Sequence, residues 1–306
     1  MDLYSQCEFL SPTLLNFKSY YSFQARYAVL QKRNFGPRSI QQIVGFRKLE
    51  ELNEKLDCFS SRTLKKDCLD LPDKVFIRRE VPLTPEQGKV YSQMSKLALA
   101  MFEDGQLATT TNVLTQIVRL QQICCGFIKD DDGAVREIKN DRLTELVNVC
   151  EEASGKVIIW ATFVHDIVKI SQELSEKFGS DSFVTFYGET PQAERQDAVN
   201  SFQDPTSTVR FFVGNSRTGG FGITLTEADT VIYYSNNYDL EVRLQSEDRA
   251  HRIGQTKSVT YVDLVSPKTV DEKVLKALKS KQNLASQVLG EELKDWLTDE
   301  KQMKLI

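Results

Sequence analysis

The sequence predicts an α/β protein built on a single doubly wound parallel sheet, and three observations carry that prediction. Short apolar runs recur at Val157–Trp160, Phe183–Tyr187, Val209–Val213, Thr230–Tyr234 and Ser258–Val265. Segments of helical period separate them, near Arg142–Glu152 and Asp166–Phe178, after Pro191, and from Leu240. Runs that are apolar on both faces and alternate with helices belong to a parallel sheet covered on both sides. The third observation is a glycine cluster, Gly214 to Gly222, directly after the Val209–Val213 run. In such sheets ligands bind beyond the carboxyl ends of the strands, where glycines let backbone N–H groups approach them.

The remaining elements are read in chain order. Residues 1–74 mix aromatic and basic side chains in short segments broken by Pro12, Gly36-Pro37 and Pro72, with no clear period. An irregular, mainly helical segment is expected there. Val75–Val81 alternates like a strand. It leads into Thr84-Pro85-Glu86-Gln87, where Thr84 is an N-cap, Pro85 the first helical residue and Gln87 the partner of a capping box. The long helix that starts there should run to Asp104-Gly105. A second, from about Asn112, should stop at Gly126, so that residues 84–138 form an appended helical protrusion. A last helix is expected from Val270 to Leu289, with Asp271-Glu272 at its start behind a Thr269 cap rather than as a Mg-binding pair.

Composition narrows the function classes. The 306 residues suffice for about two domains. Apolar residues at 41% and charged residues at 27% exclude a chain disordered throughout. With 39 basic against 43 acidic side chains the formal net charge is −4, which excludes coating nucleic acid by bulk positive charge but leaves room for a local basic surface. The longest apolar stretch, around Val157–Val164, is far short of the ~20 residues that span a bilayer, and Met1–Glu8 lacks a signal-peptide basic region. An intracellular protein with no membrane contact is expected. The cysteines, Cys7, Cys58, Cys68, Cys124, Cys125 and Cys150, contain no C-x-x-C pair and read as reduced thiols, not metal ligands.

Two segments can carry chemistry. The cluster Gly214-Asn-Ser-Arg-Thr-Gly219-Gly220-Phe-Gly222 nearly matches the P-loop spacing, yet Gly220 stands where the phosphate-binding lysine must be. Gly88-Lys89 and Gly155-Lys156 lack the upstream glycine, so the chain has no P-loop. Taken alone, the cluster reads equally as a glycine-rich turn without a ligand. In the second segment, Gln245 to Gln255, Arg249 and Arg252 stand three apart and would share one helical face, converging on one anion. The competing reading pairs Asp248 with Arg252 on a solvated helix that Gly254 caps. Trp160 and Tyr238 read as core rather than base-stacking residues. The basic positions Arg62, Lys65, Lys66, Arg78 and Arg79 read as a solvated face rather than phosphate contacts.

In this order the segments resemble the carboxyl half of the Swi/Snf-type family of DNA-dependent ATPases, which are superfamily-two helicases. Ser216 to Ile232 resembles the family's motif V, and Gln245 to Gln255 with Thr256-Lys257 resembles motif VI. Lys156–Phe163 is similar to the motif IV strand, and Tyr187-Gly-Glu-Thr-Pro with Arg195 and Phe202 to the segment after it. Leu64–Lys74 resembles the lobe-linking segment, Leu114–Cys124 the helical protrusion and Val270–Leu289 the trailing helix, so coverage is nearly the whole chain. The resemblance implies a second RecA-like lobe over residues 139–268, a remnant of the first lobe and linker over 1–83, and a trailing helix and tail over 269–306.

By the same resemblance, Arg249 and Arg252 are arginine fingers and Gln245 orders the same site. Gly220 and Gly222 line a nucleotide cleft, and Ser216, Arg217 and Thr190 face the backbone of double-stranded DNA. Two positions depart from the family's pattern: Thr224 stands where Asn is common, and Asn237-Tyr238 replaces Trp-Asn-Pro. The resemblance further implies that ATP and Mg are held mainly by a P-loop-bearing first lobe, whose motifs end just before this chain begins. The expected function is therefore the second motor lobe of an ATP-dependent DNA translocase, inactive alone. The alternative is a non-catalytic DNA-binding or regulatory module derived from this lobe. A small-molecule α/β enzyme is disfavoured, because no nucleophile–base pair or dinucleotide fingerprint occurs.

Overall fold

A computed structural model of the chain describes residues 2–35, 38–61, 63, 68–103, 110–130, 132–219, 222–236, 239–276 and 278–279. Two compact units divide the chain, one within residues 1–68 and one spanning Leu69–Leu278. Among the described residues no helix is long and apolar enough to cross a membrane.

In the first unit, helices α1 (Asp2–Leu10), α2 (Tyr20–Tyr27) and α3 (Leu49–Asp57) flank an antiparallel hairpin of β1 (Ala28–Phe35) and β2 (Arg38–Phe46). Ser19 starts α2 by a reciprocal capping box with Ser22. Tyr4, Cys7, Leu15, Phe23, Tyr27 and Leu52 form the core, with the aromatic rings meeting edge-on or tilted. The helices agree with the mainly helical expectation. The hairpin goes beyond it: polar Gln31, Lys32 and Arg33 interrupt the apolar positions of β1, so period-2 alternation is absent from the sequence.

The second unit is organised around a six-stranded parallel sheet of β3 (Lys74–Glu80), β6 (Lys156–Trp160), β7 (Phe183–Phe186), β8 (Phe211–Gly214), β9 (Ala228–Tyr233) and β10 (Val259–Val265). The spatial order is β3-β10-β9-β6-β8-β7, and every neighbouring pair is parallel. Val157, Ile158, Ile159 and Trp160 of the central strand are fully buried because helices cover both faces. On one face, α6 (Arg142–Glu152) and α7 (Val164–Phe178) bury Leu146, Ile167 and Leu174 against Val157 and Ile159. On the other, α8 (Gln192–Gln203) buries Val199 and Phe202 against Ile158 and Phe212. The expected lobe began at residue 139, yet its sheet recruits β3 from upstream, where β3 pairs along the whole of β10.

The protrusion consists of α4 (Pro85–Glu103), α5 (Thr110–Cys124) and a small hairpin of β4 (Phe127–Lys129) and β5 (Val135–Glu137). The capping box forms as expected: the Thr84 N–H donates to Gln87 Oε1 at 3.0 Å and the Gln87 N–H to Thr84 Oγ1 at 3.3 Å. The final helix, α11 (residues 270–276), packs Val270 and Val274 on Cys124; residues 278–279 are helical too, and the rest of the expected run to Leu289 lies outside the described residues. The Asp271 N–H donates to Thr269 Oγ1 at 3.2 Å, as the cap reading requires.

The connectivity creates the crevice. From β6 the chain runs out to β7 at the sheet edge, returns to β8, then crosses to β9 on the far side of β6. The connections after the adjacent strands β6 and β9 therefore run to opposite sides, and ligands bind at such a switch point.

Candidate functional site

A hydrogen-bond network ties together the carboxyl ends of four strands. The Asn215 N–H donates to Phe186 O at 3.2 Å, and Asn215 Nδ2 donates to Thr162 O at 2.8 Å. Thr162 reaches onward: its N–H donates to Ser235 Oγ at 2.9 Å and its hydroxyl to Ser235 O at 3.2 Å. Asn215 Oδ1 also accepts the Arg217 N–H at 2.9 Å, which starts the short helix α9 (Ser216–Gly219). Gly214 permits this closure, since a Cβ there would sit 2.6 Å from Phe186 O.

On this platform Ser216 is buried and Arg217 exposed. Thr190 lies in the turn after β7 and is only 8% exposed. Its hydroxyl accepts the Tyr187 N–H at 3.1 Å and donates to Thr185 O at 3.4 Å, while Arg195 Nε donates to Thr190 O at 3.0 Å. The Thr190 side chain is thus spent on shaping its own turn. Trp160 lies in the core, edge-on to Phe212. Gly220, Asn237, Tyr238, Arg62, Lys65 and Lys66 lie outside the described residues.

Beyond α9 the chain turns at Gly222, whose φ of +76° lies in the left-handed region that favours glycine. The segment 223–225 then meets the arginines. Helix α10 (Leu240–Glu247) begins at Asp239, whose carboxylate accepts the Glu241 and Val242 N–H groups, and it ends before the arginine pair. The expectation that Arg249 and Arg252 share a helical face is therefore corrected: they occupy the turn that follows. Tertiary bonds compete with helix continuation there. Tyr261 Oη donates to Glu247 O at 2.8 Å, and Arg249 O accepts the Leu225 N–H at 2.9 Å.

The two side chains still converge on the same segment. Arg249 Nε donates to Gln245 O at 2.9 Å and its Nη1 to Ile223 O at 3.1 Å. Arg252 Nη1 donates to Thr224 Oγ1 at 3.1 Å. Burial, and after it the neighbouring Arg252 charge, draws the Arg249 guanidinium below its usual pKa, while Asp248 opposes them. Asp248 also lies 3.9 Å from Lys74 Nζ. Gln245 contributes its carbonyl to Arg249, while its Nε2 donates to Glu241 Oε1 at 2.9 Å. Buried Gln255 closes the arrangement, its Nε2 donating to Thr226 O at 2.9 Å and Ala228 O at 2.8 Å.

Behind the site stands an ion cluster that sequence reading passed over. Arg243 of α10 is sandwiched over Tyr233, with its guanidinium 3.5 Å from the ring centroid. It donates to Asp263 Oδ1 at 2.6 Å, Asn236 Oδ1 at 2.7 Å and Glu247 Oε1 at 2.9 Å. The Arg243–Glu247 spacing of four was the one visible signal. The Asn215–Thr162–Ser235 network offered none, because its members are far apart in sequence.

Comparison with known proteins defines the class. Residues 138–254 match the family described as the helicase conserved C-terminal domain. The chain is 28% identical over 247 residues to an uncharacterized ATP-dependent helicase of Mycoplasma pneumoniae, covering 80% of this chain and 24% of that protein. It is 30% identical over 260 residues to the SWI/SNF chromatin-remodeling complex subunit snf22 of Schizosaccharomyces pombe, covering 79% and 15%. Among solved structures it is similar to the Sulfolobus solfataricus SWI2/SNF2 ATPase core in complex with dsDNA, with a TM-score of 0.57 and 27% identity, covering 97% of this chain and 61% of that one. The chain spans about a quarter or less of the length of these two curated relatives.

The sheet order, the strand-end crevice and the matched region define a RecA-like lobe of helicase C-terminal type. More particularly, residues 138–254 carry the helicase conserved C-terminal domain, and the chain is similar to the C-terminal lobe of Swi/Snf-type helicases.

Proposed function

We propose that this chain is the second motor lobe of an ATP-dependent double-stranded-DNA translocase and that Arg249 and Arg252 are its arginine fingers. The observation that carries the reading is their convergence on residues 223–225, between the Gly222 turn and the amino end of β9. Each guanidinium keeps donors beyond those bonds, and two adjacent cations repel until an anion lies between them. Charge developing on a transferred phosphoryl group is such an anion, which makes the pair more effective in the transition state than in the ground state.

In this reading Gly222, with Gly220, lets the backbone approach the nucleotide, and the Gln245 carbonyl orients Arg249. Among the described residues no three His, Cys, Asp or Glu side chains come together as a metal site. In this reading ATP phosphates and Mg are held mainly by a P-loop-bearing lobe. Arg217 and Ser216 contact the DNA backbone, and Thr190 fixes the neighbouring turn. The relative solved in complex with dsDNA supports double-stranded DNA as the partner.

The test mixes the chain with a matching P-loop lobe and DNA. Arg252→Ala and Arg249→Ala should each lower steady-state ATP hydrolysis by something like 10³-fold while thermal midpoint and DNA affinity stay nearly constant. Unchanged turnover in both variants would overturn the reading.

A further inference from the structure

Resting on the reading of Arg252 as a finger, we infer that Thr224 is its positioning residue: the Thr224 hydroxyl holds the Arg252 guanidinium in the orientation from which it reaches the nucleotide. Thr224 Oγ1 accepts from Arg252 Nη1 at 3.1 Å and occupies one of the five guanidinium N–H donors, leaving others for a phosphate.

The two arginines are held by different means. Arg249 is fixed by two backbone carbonyls, those of Gln245 and Ile223, which no side-chain substitution removes. The bond to Thr224 ends on a hydroxyl, so a single substitution can delete it. A long side chain set loose beside a like charge swings away, and Arg249 supplies that charge.

Thr224 itself sits in a segment pinned around it. Gly222 turns the chain on one side, and the Leu225 N–H donates to Arg249 O at 2.9 Å on the other. One residue further, Thr226 O accepts from Gln255 Nε2 at 2.9 Å, and the Gln255 N–H donates to Arg252 O at 3.0 Å. The hydroxyl is therefore presented from a fixed backbone to an arginine whose own backbone is fixed. That double fixation is what preorganisation of a charged catalytic group requires. The position at which the resemblance expects Asn thus still presents a hydrogen-bond acceptor.

Two measurements on the full 306-residue chain test the inference. The first reads side-chain order of the Arg252 guanidinium by 15N relaxation in the chain alone. Thr224→Val should release it and Thr224→Ser should keep it ordered, whereas equal order in the wild type and Thr224→Val would overturn the proposal. The second reads steady-state hydrolysis with a matching P-loop lobe and DNA. Thr224→Val should lower kcat about tenfold at unchanged KM for ATP, with Thr224→Ser within about twofold of wild type. Should Thr224→Val lower the thermal midpoint, Thr224→Ala replaces it with the same expectation. A kcat that is unchanged or raised in the valine or alanine variant, while Arg252→Ala is slow, overturns the role of Thr224 alone. Normal turnover by Arg252→Ala, or no hydrolysis by the wild-type pair, overturns the finger reading and this inference with it.

Discussion

Asp166 shows how burial decides the charge of a single residue. It lies in the first turn of α7, where the helix dipole favours an anion, and Arg142 and the Cys125 thiol favour the charged form as well. Burial outweighs them. The side chain is 2% exposed, its Oδ2 has no hydrogen-bond partner among the described residues, and Asp271 adds a like charge, so the carboxyl pKa is pushed up to about 8. The consequence has a definite sign. Between about pH 4 and 8 the unfolded chain ionises this group while the folded chain keeps it protonated, so its contribution to stability falls as pH rises. Asp166→Asn removes that loss. Denaturant unfolding should show the variant gaining on wild type by at most about 1.4 kcal/mol per pH unit across this window. A difference that stays constant from pH 5 to 8 would show that Asp166 is already ionised in the fold.

Arg142 acts at the scale of elements. From α6 its guanidinium, fully buried, donates to Tyr234 O at 2.6 Å beyond β9, to Ser266 Oγ at 3.0 Å beyond β10 and to Asp271 in α11. Removing it strands a buried carboxylate and a buried carbonyl, so Arg142→Leu should cost about 3–5 kcal/mol in denaturant unfolding. A cost below ~1 kcal/mol would mean that the elements repack without it. No period announces such a strut, for Arg142 looks in the sequence like any polar first residue of a helix. What periodicity could carry, it carried: the strand β6 and the helices α6 and α7 lie within two residues of their expected bounds. The β1–β2 hairpin and the end of α10 before Arg249 were hidden for different reasons. Polar Gln31, Lys32 and Arg33 interrupt the alternation of β1, whereas α10 ends where tertiary hydrogen bonds, such as Arg249 O with the Leu225 N–H, compete with local propensity and leave no local pattern. The glycine turn and the arginine pair were legible as residues, and their meeting at 223–225 only from the fold.

For the whole molecule, acidity and the proposed DNA binding have to be reconciled. The chain carries a formal net charge of −4, so attraction to a polyanion must come from a few local cations rather than an overall field. Exposed Arg217, presented at the tip of β8 by the Asn215 cap, is a described cation of the proposed track, and buried Ser216 can add a hydrogen bond but no charge. Contacts of this kind meet phosphates rather than base edges and carry no sequence information. Binding of the isolated chain to duplex DNA should therefore be weak and independent of sequence. If two or three phosphates are neutralised, the logarithm of the binding constant should fall with the logarithm of salt concentration at a slope of about −2 to −3. Arg217→Ala should reduce that slope by about 1 without changing the thermal midpoint, because the side chain is exposed and only its backbone N–H serves the turn. Fluorescence titrations at several salt concentrations, on two duplexes of unrelated sequence, measure all of these quantities. A salt-independent affinity, a strong preference for one duplex, or an Arg217→Ala slope equal to that of wild type would remove Arg217 from the track.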